Sequence, residues 1–280
     1  MEVRIAENAG FCFGVKRAMN MAWDELENKG DNSVYSLGPL IHNKQAVDRY
    51  KEKGLMEMDS LEKIPNDSKL IIRSHGVAKK IYTESKLKNM DIVDTTCPFV
   101  KKIHDIVKEF SNNGYKIIIV GNAAHPEIIG INGWCDNEAI VINSEEEVDN
   151  ISLNCHDKYC VVSQTTANLE FFDRIVAKLE SKIEDLTVKN TICCATKERQ
   201  LSATDLAKEV DCMIVIGGKH SSNTQKLVNI CKEIVPTFSI ETREELDRSK
   251  LEGYKVAGVT AGASTPEWII DEVIEFLKEL

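Results

Sequence analysis

The segment Cys97-Pro98-Phe99-Val100-Lys101 recurs in related form as Cys12-Phe13-Gly14-Val15-Lys16 and as Cys193-Cys194-Ala195-Thr196-Lys197. Each copy consists of a cysteine, a lysine four residues later and a helical pattern that follows. Self-similarity at a regular interval is the sequence signature of a repeated structural unit. The three segments therefore predict a triplicated fold.

Two strand patterns follow each cysteine, and each strand ends in a polar cluster. The first clusters lie at nearly equal distances from their cysteines: Leu37-Gly38-Pro39-Leu40-Ile41-His42, Val120-Gly121-Asn122-Ala123-Ala124-His125 and Ile216-Gly217-Gly218-Lys219-His220-Ser221. The second clusters are Arg73-Ser74-His75-Gly76, Gln164-Thr165-Thr166 and Gly262-Ala263-Ser264. The spacing of the second clusters varies more, which is typical of differences in loop length.

Strand-like and helix-like patterns alternate within each copy. Lys116 to Val120 is an apolar run typical of a buried strand, and apolar residues recur at helical spacing from Phe171 to Ile183. This alternation predicts parallel sheets with crossover helices. We expect an α/β fold of three pseudo-repeated units, residues 1–96, 97–192 and 193–280, with mostly parallel sheets around a pseudo-threefold centre. The polar clusters would then lie at the carboxyl ends of strands, where ligands bind in such folds.

Composition and charge exclude several classes of protein. The 280 residues carry a formal net charge of −10, which disfavours non-specific nucleic-acid binding. No apolar run is long enough to span a bilayer, and residues 1–6 form a strand pattern rather than a signal peptide. We therefore expect a cytoplasmic location without membrane association. Nine cysteines in such a chain are better interpreted as reduced thiols or metal ligands than as disulfides.

The repeated cysteines Cys12, Cys97 and Cys193 are candidate metal ligands. A closed structural zinc site needs four ligands, and no copy has the Cys-x-x-Cys spacing of a zinc ribbon. Three thiolates could instead hold three irons of a four-iron four-sulfur cluster and leave the fourth iron open. Cys194 is an alternative to Cys193, but the lysine four residues later favours Cys193. Three further cysteines lie in apolar patterns and are expected to be buried: Cys160, Cys212 and Cys231.

Histidines end the corresponding strand patterns of the first two copies, at His42, His75 and His125. A lone histidine at a strand end is more often a surface or capping residue, but three in register indicate a shared site.

The third copy has Ser221-Ser222-Asn223 in front of a helical pattern from Gln225 to Ile234. These residues could simply cap the helix. Free N–H groups at a helix N-terminus also favour an anion. The preceding Gly217-Gly218 and the matching Ser264 make the anion site the preferred interpretation.

A carboxylate lies two residues from one of the histidines, in His125-Pro126-Glu127. A glutamate in a water-poor site can donate a proton to a reacting group. Thr165 and Thr166, after the neighbouring strand, could orient a substrate hydroxyl or a water. A glutamate is usually an exposed residue without a special role, but its position in this loop favours the proton donor.

Taken together, these motifs resemble the 4-hydroxy-3-methylbut-2-enyl diphosphate reductase family over essentially the whole chain. The resemblance rests on Gly10-Phe11-Cys12-Phe13-Gly14-Val15, Ser74-His75-Gly76, Thr96-Cys97-Pro98, Gly121-Asn122-Ala123-Ala124-His125-Pro126-Glu127, Ser163-Gln164-Thr165-Thr166, Ser221-Ser222-Asn223 and Thr260-Ala261-Gly262-Ala263-Ser264.

The resemblance implies a three-lobed α/β enzyme of isoprenoid biosynthesis by the non-mevalonate pathway. A 4Fe-4S cluster would be held by Cys12, Cys97 and Cys193, and the substrate hydroxyl would bind its open iron. Ferredoxin or flavodoxin would supply electrons, and Glu127 with Thr165 and His125 would manage the proton. The resemblance also implies a set of diphosphate-binding residues: His42, His75, His125, Ser221, Ser222, Asn223 and Ser264.

Two other functions remain compatible with the residues alone. One is a zinc-dependent hydrolase that uses the same cysteines and histidines, which predicts zinc without acid-labile sulfide. The other is a non-catalytic iron–sulfur redox sensor that binds a protein or nucleic acid. The net charge of −10 and the predicted diphosphate site count against the sensor.

Overall fold

Twelve strands, eleven α-helices and two short 3₁₀-helices make up the regular structure in the computed structural model, which describes residues 1–30 and 32–280. The strands are β1 (Glu2–Ile5), β2 (Val34–Leu37), β3 (Leu55–Met58), β4 (Lys69–Ile72), β5 (Asp91–Asp94), β6 (Lys116–Val120), β7 (Ile140–Ile142), β8 (Lys158–Ser163), β9 (Asp185–Val188), β10 (Cys212–Ile216), β11 (Thr237–Ile240) and β12 (Val256–Ala261). The helices are α1 (Phe13–Glu27), α2 (Lys44–Glu52), α3 (Lys79–Leu87), α4 (Pro98–Asn112), α5 (Pro126–Asn132), α6 (Glu145–Asn150), α7 (Leu169–Glu180), α8 (Cys194–Ala207), α9 (Ser222–Lys232), α10 (Arg248–Leu251) and α11 (Glu267–Lys278).

The strands form three four-stranded sheets with equivalent strand orders. These orders are β3-β2-β4-β5, β7-β6-β8-β9 and β11-β10-β12-β1. The strand pairs within these sheets are parallel. The expected α/β fold of three pseudo-repeated units with parallel sheets is therefore confirmed.

The strand β1 lies in the sheet of the third copy. It pairs in parallel with β12, from Glu2 opposite Val256 to Ile5 opposite Val259. It takes the edge position that β5 and β9 occupy in the other two sheets. Residues 2–5 thus complete the third sheet, although the sequence division places them in residues 1–96. That division into three domains stays a prediction.

Backbone contacts group the chain into two compact units. The terminal unit comprises Met1–Lys16, Ile41–Glu52 and Cys194–Leu280, and contains the third sheet. The middle unit comprises Arg17–Leu40 and Lys53–Cys193, and contains the first two sheets.

Strand β6 of the middle unit shows why these strands are almost wholly apolar. Ile118 and Val120 pack in one hydrophobic cluster with α7, whereas Ile117 and Ile119 pack in another with α4 and α5. All four side chains are at most 3% exposed. Full burial of such a side chain contributes about 1.5–3 kcal/mol. Helices on both faces therefore fix the strand, and with it the loop that follows its carboxyl end.

Two helices begin earlier than their apolar patterns predict. Helix α7 begins at Leu169 because the Asn168 side chain accepts a hydrogen bond from the N–H of Phe171, at 2.9 Å. Helix α9 begins at Ser222 because Ser221 caps it in the same way. Helix α9 opens with three polar residues, Ser222, Asn223 and Thr224, which an apolar pattern does not include, and in α7 the polar Glu170 separates Leu169 from the pattern that starts at Phe171. Among the helices of the described residues, none is both long enough and apolar enough to cross a bilayer.

Candidate functional site

The three repeated cysteines occupy equivalent backbone positions. Each directly precedes a helix, namely α1, α4 and α8. Each cysteine N–H donates a hydrogen bond to a carbonyl in a second polar cluster: Cys12 to Ala263 at 3.2 Å, Cys97 to Ser74 at 3.0 Å and Cys193 to Thr165 at 2.9 Å. In the third copy this placement belongs to Cys193 and not to Cys194.

The repeated cysteines differ from the buried ones in chemistry. Cys12, Cys97 and Cys193 form no disulfide and are partly exposed. Cys160, Cys212 and Cys231 are fully buried, as predicted, and burial raises their thiol pKa values to about 12, 11 and 11. Metal ligation requires the thiolate. The accessible repeated thiols therefore fit a metal centre, whereas the buried thiols behave as small apolar side chains.

The carboxylate of Glu127 lies buried in the middle unit, and both of its oxygens accept hydrogen bonds from Thr165. Thr165 donates its backbone N–H to Oε1 at 2.6 Å and its hydroxyl to Oε2 at 2.8 Å. Glu127 is 3% exposed and Thr165 is 8% exposed. Glu127 lies in the first turn of α5, after β6, and Thr165 lies in the loop after the neighbouring strand β8, as expected for the carboxyl ends of a parallel sheet.

His125 caps helix α5 and lies beside this pair. Its Nδ1 accepts a hydrogen bond from the N–H of Glu127, at 3.1 Å. An imidazole nitrogen that accepts carries no proton, so the neutral ring bears its hydrogen on Nε2. His125 can therefore offer Nε2–H as a donor to an oxygen of a bound ligand.

His75 approaches His125 edge to face. The two ring centroids are 5.6 Å apart, with an angle of 72° between the ring planes. The preceding Ser74 is 6% exposed and donates its hydroxyl to the carbonyl of Leu40, at 3.2 Å. The middle unit thus brings together four of the predicted site residues: His75, His125, Glu127 and Thr165.

The terminal unit holds the remaining predicted ligands of the diphosphate. Ser221 accepts the N–H of Thr224 at 3.3 Å, which fixes the start of helix α9. Ser222 is the first residue of the helix and Asn223 the second. Asn223 is 4% exposed, and both polar atoms of its side-chain amide are buried without a hydrogen-bond partner among the described residues. Such an unsatisfied amide is costly unless it meets a ligand or water.

His42 lies in the terminal unit although it belongs to the first copy of the sequence. Its carbonyl accepts the hydroxyl of Ser264 at 3.1 Å. The same carbonyl would lie 2.5 Å from a Cβ placed on Gly218, so only glycine allows this approach. His42, Ser264 and the Gly218–Asn223 segment are therefore neighbours.

Glycines also let helix α9 approach the strand ends. A Cβ on Gly217 would lie 2.5 Å from the Thr224 hydroxyl oxygen, and a Cβ on Gly262 would overlap the same atom. Gly217 follows β10 and Gly262 follows β12. The Gly217-Gly218 and Gly262 motifs of the sequence thus place the helix N-terminus against two neighbouring strands.

Sequence reasoning missed two buried polar residues near these segments. Arg199 of α8 is 2% exposed and donates from Nη2 to the carbonyl of Gly10 at 2.9 Å, just before Cys12. His104 of α4 is 2% exposed. Both lie on helices that follow a repeated cysteine, and this placement was the only available signal.

A further group of possible metal ligands lies on the surface of the middle unit. The ligand atoms of Cys155, His156 and Glu184 are within 4.8 Å of one another. The side chains of His156 and Glu184 are 75% and 70% exposed. This group lies outside the repeat and is a separate place where zinc could bind.

The fold and these residues define an α/β protein of three repeats, with equivalent cysteines before helices and polar groups at strand ends. The model of the LytB protein family matches residues 3–278, and the chain belongs to that family.

Individual relatives are similar over full length. The 4-hydroxy-3-methylbut-2-enyl diphosphate reductase of Clostridioides difficile (strain 630) is 60% identical over 280 residues, all of both chains. A solved structure of (E)-4-hydroxy-3-methyl-but-2-enyl diphosphate reductase, the terminal enzyme of the non-mevalonate pathway, is 41% identical, with a TM-score of 0.73 and full coverage of both chains. The E-1-hydroxy-2-methyl-but-2-enyl-4-diphosphate reductase from Plasmodium falciparum is 28% identical, with a TM-score of 0.94 over 99% of this chain and 88% of that one.

Proposed function

We propose that the chain reduces 4-hydroxy-3-methylbut-2-enyl diphosphate to isopentenyl and dimethylallyl diphosphates, the last step of the non-mevalonate pathway. Two electrons and two protons enter, the allylic C–O bond breaks, a C–H bond forms and the oxygen leaves as water. The observation that carries the proposal is the buried Glu127 carboxylate held by Thr165. The activity named for full-length relatives supports it.

We propose Cys12, Cys97 and Cys193 as the ligands of one 4Fe-4S cluster, with one iron left without a protein ligand. Their equivalent positions before helices and their accessible thiols support this assignment. When bound, such a cluster supplies the electrons one at a time. Ferredoxin or flavodoxin is the proposed electron donor, and the cytoplasm the proposed location. No role with nucleic acid or membranes is proposed.

Glu127 and Thr165 form a proton relay in this proposal. A protonated Glu127 donates to the Thr165 hydroxyl oxygen across the 2.8 Å contact, and Thr165 passes its own proton to the departing hydroxyl group. Burial of both residues limits access of bulk water to the relay. His125 adds an Nε2–H donor, since its Nδ1 is occupied.

The proposed ligands of the diphosphate are the start of α9 with Ser221, Ser222 and Asn223, together with Ser264, His42, His75 and His125. Free N–H groups at the start of a helix favour an anion. The buried Asn223 amide provides a directed donor at the same place.

Replacing Asn223 is expected to weaken binding of the diphosphate without loss of iron. A hydrogen bond to a charged group is worth about 1.5–3 kcal/mol. Asn223→Ala should therefore raise KM for the substrate, and Kd for inorganic diphosphate, by about 10- to 100-fold. Asn229→Ala is the matched control, because Asn229 is an exposed asparagine on the same helix. Equal affinities in the two variants would remove Asn223 from the diphosphate site.

Genetic complementation tests the proposed activity as a whole. The chain would be expressed in a bacterium whose own reductase gene is repressed and whose growth depends on the non-mevalonate pathway. Restored growth with the native chain, and none with Cys97→Ser at equal expression, is the expected result. Equal growth with the native chain and with Cys97→Ser would contradict the proposal. So would a failure of the native chain to restore growth when it is soluble and loaded with iron and when a ferredoxin and a flavodoxin are co-expressed.

A further inference from the structure

The turn that carries His75 is packed tightly against helix α4. Gly76 has a φ of +72°, a conformation that favours glycine. A Cβ on Gly76 would lie 2.6 Å from Cε1 and 3.1 Å from Nε2 of His104, and 3.0 Å from the Thr96 methyl group. The His104 ring therefore rests directly on the backbone next to His75.

Helix α5 holds the other side of the same turn. A Cβ on Gly130 would lie 3.4 Å from the carbonyl group of Gly76, and a Cβ on Gly133 would overlap Ala78. The two glycines are three residues apart and so share a face of the helix. His125 caps the start of helix α5, and Glu127 lies in its first turn. The segment after His75 is thus held between the helix that follows Cys97 and the helix that carries the proposed proton donor.

Trp134 links the two sides. Its ring stacks on His104, with centroids 5.1 Å apart and 19° between the planes. Its Nε1–H donates to the carbonyl of Val77 at 3.0 Å. Trp134 lies just after α5, so one aromatic stack joins α4, α5 and the His75 segment. We call the arrangement of His104, Trp134 and Gly130 around Gly76 the histidine clamp.

The chemistry of His104 is unusual for a residue that only fills space. Its Nε2 is buried without a hydrogen-bond partner among the described residues, and it is the ring nitrogen nearest to Gly76. Burial lowers the His104 pKa to about 4, so the ring is neutral at neutral pH. Asp94, which forms an ion pair with Lys101 at 2.7 Å, only partly offsets this effect. A neutral ring can stack on Trp134 and bring Cε1 and Nε2 against the backbone turn without carrying a charge into the core.

We propose that His104 is a positioning residue that fixes the His75 turn, and so the place of the His75 ring beside His125. The inference rests on the proposed function, in which His75 binds the diphosphate. It concerns a residue that touches neither substrate nor cluster. Loss of the clamp should act through His75 alone.

Two measurements on His104→Leu in the cluster-loaded protein test the proposal. KM for the allylic diphosphate should rise about tenfold, which is a tenfold loss of affinity. The value of kcat and the iron content should change little. Amide hydrogen exchange should also become faster in residues 73–78. Val107→Ala is the control, since Val107 is fully buried on the same helix but packs in the core under the second sheet. It should leave KM and exchange in residues 73–78 unchanged.

A double-mutant cycle with His75→Ala separates positioning from general destabilisation. Residues that act as one unit are non-additive, whereas independent effects add. The rise in KM caused by His104→Leu should disappear in the His75→Ala background. An equal rise in both backgrounds, or unchanged exchange in residues 73–78, would overturn the proposal. If His104→Leu does not fold, His104→Gln takes its place with the same expected results.

Failure of the proposed function would give a different pattern. The native protein would then show no turnover, while hydrogen exchange in residues 73–78 would still respond to His104→Leu. Normal native turnover with no response at residues 73–78 would reject the clamp alone.

Discussion

Glu127→Gln is expected to retain its iron and bind the allylic diphosphate, but to turn over at least about 100-fold more slowly. Proton transfer by a positioned side chain contributes about 10²–10⁴-fold in rate. The substitution removes the proton donor. In the native chain the two Thr165 donors meet carboxylate oxygens at 2.6 and 2.8 Å, whereas in the variant one of these donors faces an amide NH2. Single-turnover kinetics with the reduced protein measures the chemical step directly.

The control for this variant is Glu138→Gln, because Glu138 is an exposed glutamate in the same part of the chain. It should leave the rate unchanged. Thr165→Val should resemble Glu127→Gln in direction, because it interrupts the relay but keeps the backbone N–H donor. A Glu127→Gln rate within a factor of about two of native would remove Glu127 from the proton path.

Cys97→Ser is expected to lose the cluster, and with it all turnover. A serine hydroxyl does not replace a thiolate as a ligand of iron. Helix α4 and its hydrogen bond from the N–H of residue 97 to Ser74 do not depend on the sulfur, so the fold should persist. Iron and acid-labile sulfide analysis, together with far-UV circular dichroism, distinguishes loss of the cluster from loss of the fold.

Cys194→Ser provides the matched control for this experiment. Cys194 is exposed and is the first residue of α8, one position after the proposed ligand Cys193. The variant should keep its iron, and Cys193→Ser should not. Iron retained in Cys97→Ser, or lost in Cys194→Ser but not in Cys193→Ser, would show that the ligands are wrongly assigned.

The repeat allowed most of the architecture to be predicted. The apolar run from Lys116 to Val120 coincides with β6, and the polar clusters follow strands as expected. The contact of Glu127 with Thr165, 38 residues apart, also follows from that rule. Parallel strands bring their carboxyl ends to one edge, so equivalent loops meet even when they are distant in sequence.

Other features depended on tertiary contacts that no local pattern records. The pairing of β1 with β12 joins opposite ends of the chain. His42 was grouped with the first copy, yet its carbonyl meets Ser264 in the terminal unit. His104 is a polar residue type on a buried helix face, so its role appears only once Gly76 and Trp134 are seen against it.

The most direct test of the account is metal and sulfide analysis of anaerobically purified protein, followed by addition of the allylic diphosphate to the reduced form. We expect about four irons and four sulfides per chain and substrate-dependent oxidation of the reductant. The analysis should be repeated on Cys155→Ser, so that zinc held by Cys155, His156 and Glu184 is not mistaken for the central metal. Zinc without sulfide, in both the native protein and Cys155→Ser, would contradict this assignment. So would an iron–sulfur protein that does not oxidise its reductant when substrate is added.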